Sequence, residues 1–264
     1  MKTGLRRFLW QVLPPVVSFG VVVLCWHAAV VLLCIKPLVL PGPGRVWNAL
    51  TEPSSQFHSA LGVTAQGALY GFGLSLCVGT AVGFAFSQSR IIRNSFYPYA
   101  IFLQTVPIVA IAPLIILWVG YGLKGVVVVS FIISLFPMIT NATEGMISVD
   151  SSLVDLFRLH GASRWQILWK LRLPNSVPHL ITGAKTSSGL AVIGAIVGEF
   201  FVGYGQPPFG LGYLIRANSD NWKTDQLFST VIAATLLGVC VFVAVSVVGA
   251  LVLSRWYDRP AAKP

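Results

Sequence analysis

Hydrophobic residues in this chain gather into six long runs, at 15–35, 60–86, 99–119, 126–142, 180–203 and 227–253. The hydrocarbon core of a bilayer is about 30 Å thick, and a helix needs about 17–25 residues to cross it. Each run is long enough, the fourth at the short end. The pattern therefore predicts an all-α membrane protein with six transmembrane helices. Only 120–125 separates the third run from the fourth, which predicts a tight helical hairpin there. The first run is too long for a signal peptide and lacks a small-residue cleavage site, so it reads as a permanent span.

One polar island interrupts the pattern, DLFRLHGASRWQILWKLRLP at 155–174. Asp150, Ser151 and Ser152 offer N-caps for a first helix. Leu153, Leu156 and Phe157 then fall at i, i+3 and i+4, one apolar stripe. Gly161 ends that helix, because glycine enters the left-handed region at little cost. Ser163 is placed to cap a second helix over 164–171, with Trp165, Leu168 and Trp169 on one face, and Pro174 is expected to stop it. Two short helices meeting at a glycine make a compact knob suited to a groove in a partner. The same pattern also fits an amphipathic hairpin lying on the membrane interface, with Arg and Trp as anchors.

Composition agrees with the runs. The chain is 55% hydrophobic and 10% charged, with mean hydropathy +0.79, whereas soluble domains carry roughly 25% charged residues. The net charge of +10 does not point to nucleic acid, because the basic residues sit between apolar runs and form no stripe. Cys25, Cys34, Cys77 and Cys240 lie in or beside apolar runs without CxxC spacing. They predict small buried hydrophobes, with neither a disulfide framework nor a metal site.

The basic residues also orient the chain. With the N-terminus inside, inside segments hold Lys2, Arg6, Arg7, Arg90, Arg93, Arg158, Arg164, Lys170, Arg172, Arg255, Arg259 and Lys263. Outside segments hold Lys36, Arg45, Lys124, Arg216 and Lys223, while Lys185 lies within the fifth run and is expected to snorkel. Twelve against five favours both termini in the cytoplasm, and it places the island there too.

A few residues in the runs are costly at membrane depth. Glu199 sits among Ile193, Ile196, Val197 and Phe200. A carboxylate there must face protein or water, either in a solute pathway or in a structural hydrogen bond. His27 is expected to be a satisfied buried polar group. Pro107, Pro113 and Pro137 interrupt helical hydrogen bonding and are candidates for kinks that shape a central cavity. Outside the spans, 40–44 reads as a turn followed by a short interfacial helix over 45–50, and 203–212 reads as an external loop. An intramembrane enzyme would need a cluster of catalytic groups, yet the chain has no HExxH or GxSxG, and His58, His160 and His179 fall at different levels. An ion channel is the other alternative, and no filter-like repeat supports it.

After Asp155-Leu156-Phe157 come three residues, Gly161, nine residues, then Leu171-Arg172-Leu173-Pro174. This resembles the cytoplasmic coupling loop of ABC-importer permeases, which runs Glu-Ala-Ala, three residues, Gly, nine residues, Ile-x-Leu-Pro. Asp155-Leu156-Phe157 stands where Glu-Ala-Ala is usual, so the acid is kept and the small residues become bulky. Gln104-Thr105-Val106-Pro107, Ala112-Pro113-Leu114, Leu117-Trp118-Val119-Gly120, Val197-Gly198-Glu199-Phe200 and 210–215 are similar to the nitrate/sulfonate/taurine and thiamine-pyrimidine-precursor branch. The likeness runs from about 61 to 253.

The resemblance implies a type I ABC-importer permease fold. It implies a single transmembrane domain over 15–253 with a coupling loop at 143–179, a cytoplasmic N-terminal segment 1–14 and a cytoplasmic tail 254–264. It implies ATPase contacts at Asp155, Leu156, Phe157, Gly161, Ala162, Ser163, Leu171, Leu173 and Pro174, with Glu199, Pro107 and Pro113 as candidates for the translocation path. The implied partners are cytosolic ABC ATPase subunits, an external solute-binding protein, a second permease copy and membrane lipid, without nucleic acid. The chain is expected to be a non-catalytic subunit of the inner membrane that binds no cofactor, with ATP and Mg on the partner ATPase. It has no GxxxxGK[ST] phosphate loop of its own. The implied solute is of the pyrimidine or thiamine-precursor, sulfonate, taurine or nitrate type.

Overall fold

A computed structural model describes residues 2–202 and 209–256, in which helices joined by short turns are the regular structure, with no strand among them. In chain order the helices are α1 (Lys2–Leu32), α2 (Pro43–Thr51), α3 (Phe57–Gln88), α4 (Arg90–Thr105), α5 (Ile108–Val119) and α6 (Leu123–Ile147). Then come α7 (Ser151–Leu159), α8 (Arg164–Ile167), a π-turn (Leu168–Arg172), α9 (Leu173–Val202), α10 (Leu211–Asp220) and α11 (Thr224–Trp256). Five of these are long and apolar enough to cross a bilayer, and α4 with α5 makes a sixth span if that bent pair counts as one.

The third predicted span is therefore not one straight helix. Its two halves meet at 101°. Pro107 has no N–H to continue the ladder, and it forces Val106 into an extended conformation, ψ 125°. Pro113 and Pro137, by contrast, sit inside continuous helices. Around Pro137 the Asn141 amide donates to the Pro137 carbonyl at 2.8 Å and the Thr140 hydroxyl to the Phe136 carbonyl at 3.1 Å. The hairpin between α5 and α6 forms as expected, with Gly120 and Gly122 at φ +102° and +94°, values that side chains other than glycine's resist. The fourth span is longer than its apolar run, Leu123–Ile147. The expected external loop at 203–212 lies mostly outside the described residues.

The described residues divide into two compact units. The first comprises 1–57 and 214–233. In it the Trp26 ring stacks on Phe228 with centroids 6.3 Å apart, and the Thr224 hydroxyl donates to the Leu38 carbonyl at 2.8 Å. The short helix α2 forms after the Pro-Gly turn as the sequence predicts.

The second unit, 58–213 and 234–264, is organised about α6 and α9, its most extensive helix pair. Lipid tails are as apolar as leucine, so helices in a bilayer associate through close backbone approach and polar ties. Both are present. A Cβ at Gly194 would meet the Ser130 Cα at 2.6 Å, and one at Gly79 would meet the Met138 side chain at 2.7 Å. The Ser130 hydroxyl donates to the Ala191 carbonyl at 2.8 Å and Ser187 to the Ser134 carbonyl at 2.7 Å. Ala112, Ile115 and Val129 join α5 to this pair, and Phe86, Ala100, Leu135 and Ile139 join α3 and α4 to α6.

Small and polar residues thus mediate the close helix contacts, with larger apolar side chains packed around them. The four cysteines, expected to be buried, are all exposed, as is His27, because these positions fall away from those contacts.

Candidate functional site

The island between α6 and α9 folds as a capped helix-turn-helix. The Asp150 carboxylate accepts from the Ser152 N–H at 2.9 Å and starts α7. Gly161 takes φ +70°, and the Ala162 N–H closes the turn on the Phe157 carbonyl at 3.0 Å. Ser163 then forms a reciprocal capping box. Its N–H donates to Gln166 Oε1 at 2.7 Å, and its hydroxyl accepts from the Gln166 N–H at 3.3 Å. Asp155 pairs with Arg158 one turn on, at 3.2 Å, and both are largely exposed.

The second helix is shorter than 164–171, and Pro174 does not end it. After α8 the chain makes one π-turn, in which the Leu173 N–H reaches back to the Leu168 carbonyl, and passes directly into α9. The wide turn takes up the ring of Pro174, which lies in the first turn of α9 where its missing N–H costs little. From Arg164 to Val202 the chain is thus one helical rod.

Val154, Ile167 and Leu168 are the residues of the knob buried against the protein. Leu153, Leu156, Trp165 and Trp169 are exposed, with Leu159 85% exposed and Trp165 64%. Leu168 apart, the apolar stripes expected to face a partner are therefore free on this chain. Leu156, Phe157, His160, Ala162, Gln166 and Lys170 line a groove of about 380 Å³ on that free side. Leu171, Leu173 and Pro174 are half-buried and belong to the rod.

The knob is fastened on its inner side. The Arg172 guanidinium donates to the Ser87 carbonyl at the end of α3. The Trp165 ring lies against Phe84 at 5.9 Å. The Asn175 amide donates to the Gly145 carbonyl at 3.1 Å.

Near the other end of α9, Glu199 is 3% exposed. Its Oε2 accepts from the Thr64 hydroxyl and from the Gly212 N–H, both at 2.8 Å, and the Leu211 N–H donates to the Thr64 oxygen at 2.8 Å. The first two N–H groups of α10 are therefore capped by side chains from α3 and α9. A carboxylate at a helix N-terminus also meets the positive end of the helix dipole. A Cβ at Gly212 would meet the Glu199 Cβ at 2.8 Å, so glycine is needed for the approach. The second oxygen, Oε1, is buried without a hydrogen-bond partner. Pro107 lies at the α4–α5 break and Pro113 within α5, which packs against Val197 and Phe201 of α9. Thr64 was not singled out from the sequence. A threonine in an apolar run is the signal that was available.

Residues 75–258 match the family described as binding-protein-dependent transport system inner membrane component. The chain belongs to that family.

This permease is 32% identical over 257 residues to the riboflavin transport system permease protein RibX of Chloroflexus aurantiacus, covering 96% of this chain and 93% of the relative. It is 29% identical to the formylaminopyrimidine transport permease protein ThiX of Halalkalibacterium halodurans, covering 89% and 93%. It is 25% identical to the taurine transport system permease protein TauC of Escherichia coli, covering 89% of each. Among solved structures, a chain of the inward-facing MetNI methionine ABC transporter superposes with TM-score 0.56 at 17% identity, covering 76% of this permease and 94% of that chain. That likeness establishes the type I importer permease fold. The protein is thus a multi-pass inner-membrane transport subunit of the branch that the sequence resembles.

Proposed function

We propose that this permease forms half of the solute path of an ATP-driven importer, pairing with a second permease, an external binding protein and two cytosolic ATPases. The observation that carries this reading is the knob: capped at both helix starts, fastened inside, and apolar on its free edge. Such an edge suits a partner's groove. Because α8 runs through the π-turn into α9, a displacement of the knob moves the rod that packs on α6 and that bears Glu199 near its far end. ATP-driven closure of the ATPases would draw paired knobs together and tilt these rods, an alternating-access motion of rigid bundles.

Both termini and the knob belong in the cytoplasm on the basic-residue bias. For the solute we favour a small nitrogen heterocycle, since two relatives similar over most of the chain are named for riboflavin and formylaminopyrimidine transport.

Gly161→Val tests the coupling reading. A β-branched residue at φ +70° costs about 1–2 kcal/mol in the turn. The variant should insert normally, while co-purified ATPase falls about tenfold and uptake falls with it. ATPase recovery at the wild-type level would remove the knob from the coupling mechanism.

A further inference from the structure

Where the knob meets the ends of α3 and α4, a cavity of about 620 Å³ is lined by four arginines, Arg90, Arg158, Arg164 and Arg172, and by no acidic residue. Arg158 is paired with Asp155 and Arg172 with the Ser87 carbonyl. Among the described residues, neither Arg90 nor Arg164 has an acidic partner. Like charges gathered this way repel. The arrangement is costly unless an anion balances it.

The cavity is not purely polar. Ile167 is buried in its wall, and Ile91, also on the wall, is 79% exposed. The cavity lies where α3 ends and α4 begins, between spans and loop. Trp165, from the same knob, stands exposed beside Phe84, as aromatic residues do at headgroup depth. A basic interior with an apolar lip fits a ligand that has a phosphate at one end and hydrocarbon at the other.

We propose that this cavity holds the phosphate headgroup of an anionic phospholipid, wedged between the knob and the α3–α4 junction. Basic pockets among helix ends are suited to such headgroups. A bound headgroup would neutralise the repulsion and hold the knob in the posture it presents to a partner. Assignment to the cytoplasmic leaflet rests on the orientation proposed above. The test therefore uses symmetric bilayers, in which a wrong orientation cannot imitate failure.

The full chain is placed in nanodiscs of phosphatidylcholine with and without phosphatidylglycerol. Retained phosphatidylglycerol is read by native mass spectrometry and stability by melting midpoint. The wild type should retain the anionic lipid and melt higher with it. The Arg90→Gln/Arg164→Gln double variant should bind it about 30-fold more weakly, the attraction of two basic residues for an anionic lipid surface. Its midpoint in phosphatidylcholine alone should equal or exceed the wild type's, since two of the repelling charges are gone. Arg90→Lys/Arg164→Lys should retain the lipid, as should Arg93→Gln/Arg255→Gln, which removes equal charge elsewhere. Equal losses in the two Gln pairs would make this general surface charge and overturn the proposal. So would inorganic phosphate reproducing the stabilisation, which would mean a soluble anion site. Unchanged lipid retention in Arg90→Gln/Arg164→Gln with loss of ATPase co-purification would assign the arginines to an acidic protein surface instead.

Discussion

The Glu199 carboxylate reaches two neighbouring helices at once, through Thr64 on α3 and the Gly212 N–H on α10. Its hydrogen bonds are those of a structural clamp, and they set what each substitution removes. Glu199→Gln keeps an oxygen for the Gly212 N–H and should melt within about 1 kcal/mol of the wild type and transport normally. Glu199→Leu leaves the buried Gly212 N–H without its acceptor and the Thr64 hydroxyl with only the Ala60 carbonyl, and should lower stability by about 1–3 kcal/mol. Thr64→Val should cost a similar amount. Because the two side chains share one network, the double variant should lose less than the sum of the singles. Melting midpoints and uptake for the four variants test this. A fall in uptake in Glu199→Gln without loss of stability would make the charge itself part of the solute path, and additive losses would contradict the shared clamp.

At the scale of elements, the break between α4 and α5 most affects the bilayer geometry. At about 1.5 Å per residue, the 12 residues of α5 cover only about 18 Å, too little to cross alone. The direction of α4 therefore matters. Pro107 sets it by withholding an N–H and holding Val106 extended. Pro107→Ala restores a donor and relaxes the residue before it. Spin labels at Asn94 and Trp118, both on exposed positions, should then move apart by about 10 Å as the pair straightens. An unchanged separation would mean that packing of α4 against Phe86, Leu135 and Ile139, and not the proline, holds the angle.

At the scale of the molecule, the outward faces are apolar. In α1 no residue of the most apolar stretch is buried, and in α11 only 6% of that stretch is. Lipid or a second subunit must cover them. The orientation proposed from the basic-residue bias can be tested by labelling. With Cys25, Cys34, Cys77 and Cys240 replaced, single cysteines at Ser55 and Asn218 should react with impermeant reagents from outside intact cells. One at Ser151 should react only after permeabilisation. Labelling of Ser151 from outside would overturn the orientation together with the cytoplasmic placing of the knob. The native cysteines must be removed first because all four are exposed.

The helical, membrane-spanning nature of the apolar runs, the capped turn at Asp150, Gly161 and Ser163, and the family itself were legible in the chain, whereas the bend that leaves five spans, or six if α4 and α5 count as one, was not. Hydrophobic run length, cap chemistry and glycine's access to positive φ are local properties, readable without neighbours. The inner face of the knob was not legible. In a bilayer the apolar residue is at home outside as well as inside, so the pattern marked the stripe of Leu156 and Trp165 but not that Val154, Ile167 and Leu168 would anchor the knob to the protein. Pro174 misled because its effect depends on the π-turn before it, which no local pattern announces. The partners of Glu199 lie 135 and 13 residues away, and no periodicity connects them. Only the folded chain could bring Thr64 and the start of α10 to that carboxylate, because a hydrogen bond between helices depends on where their backbones approach, and small residues scattered over three spans decide that approach together.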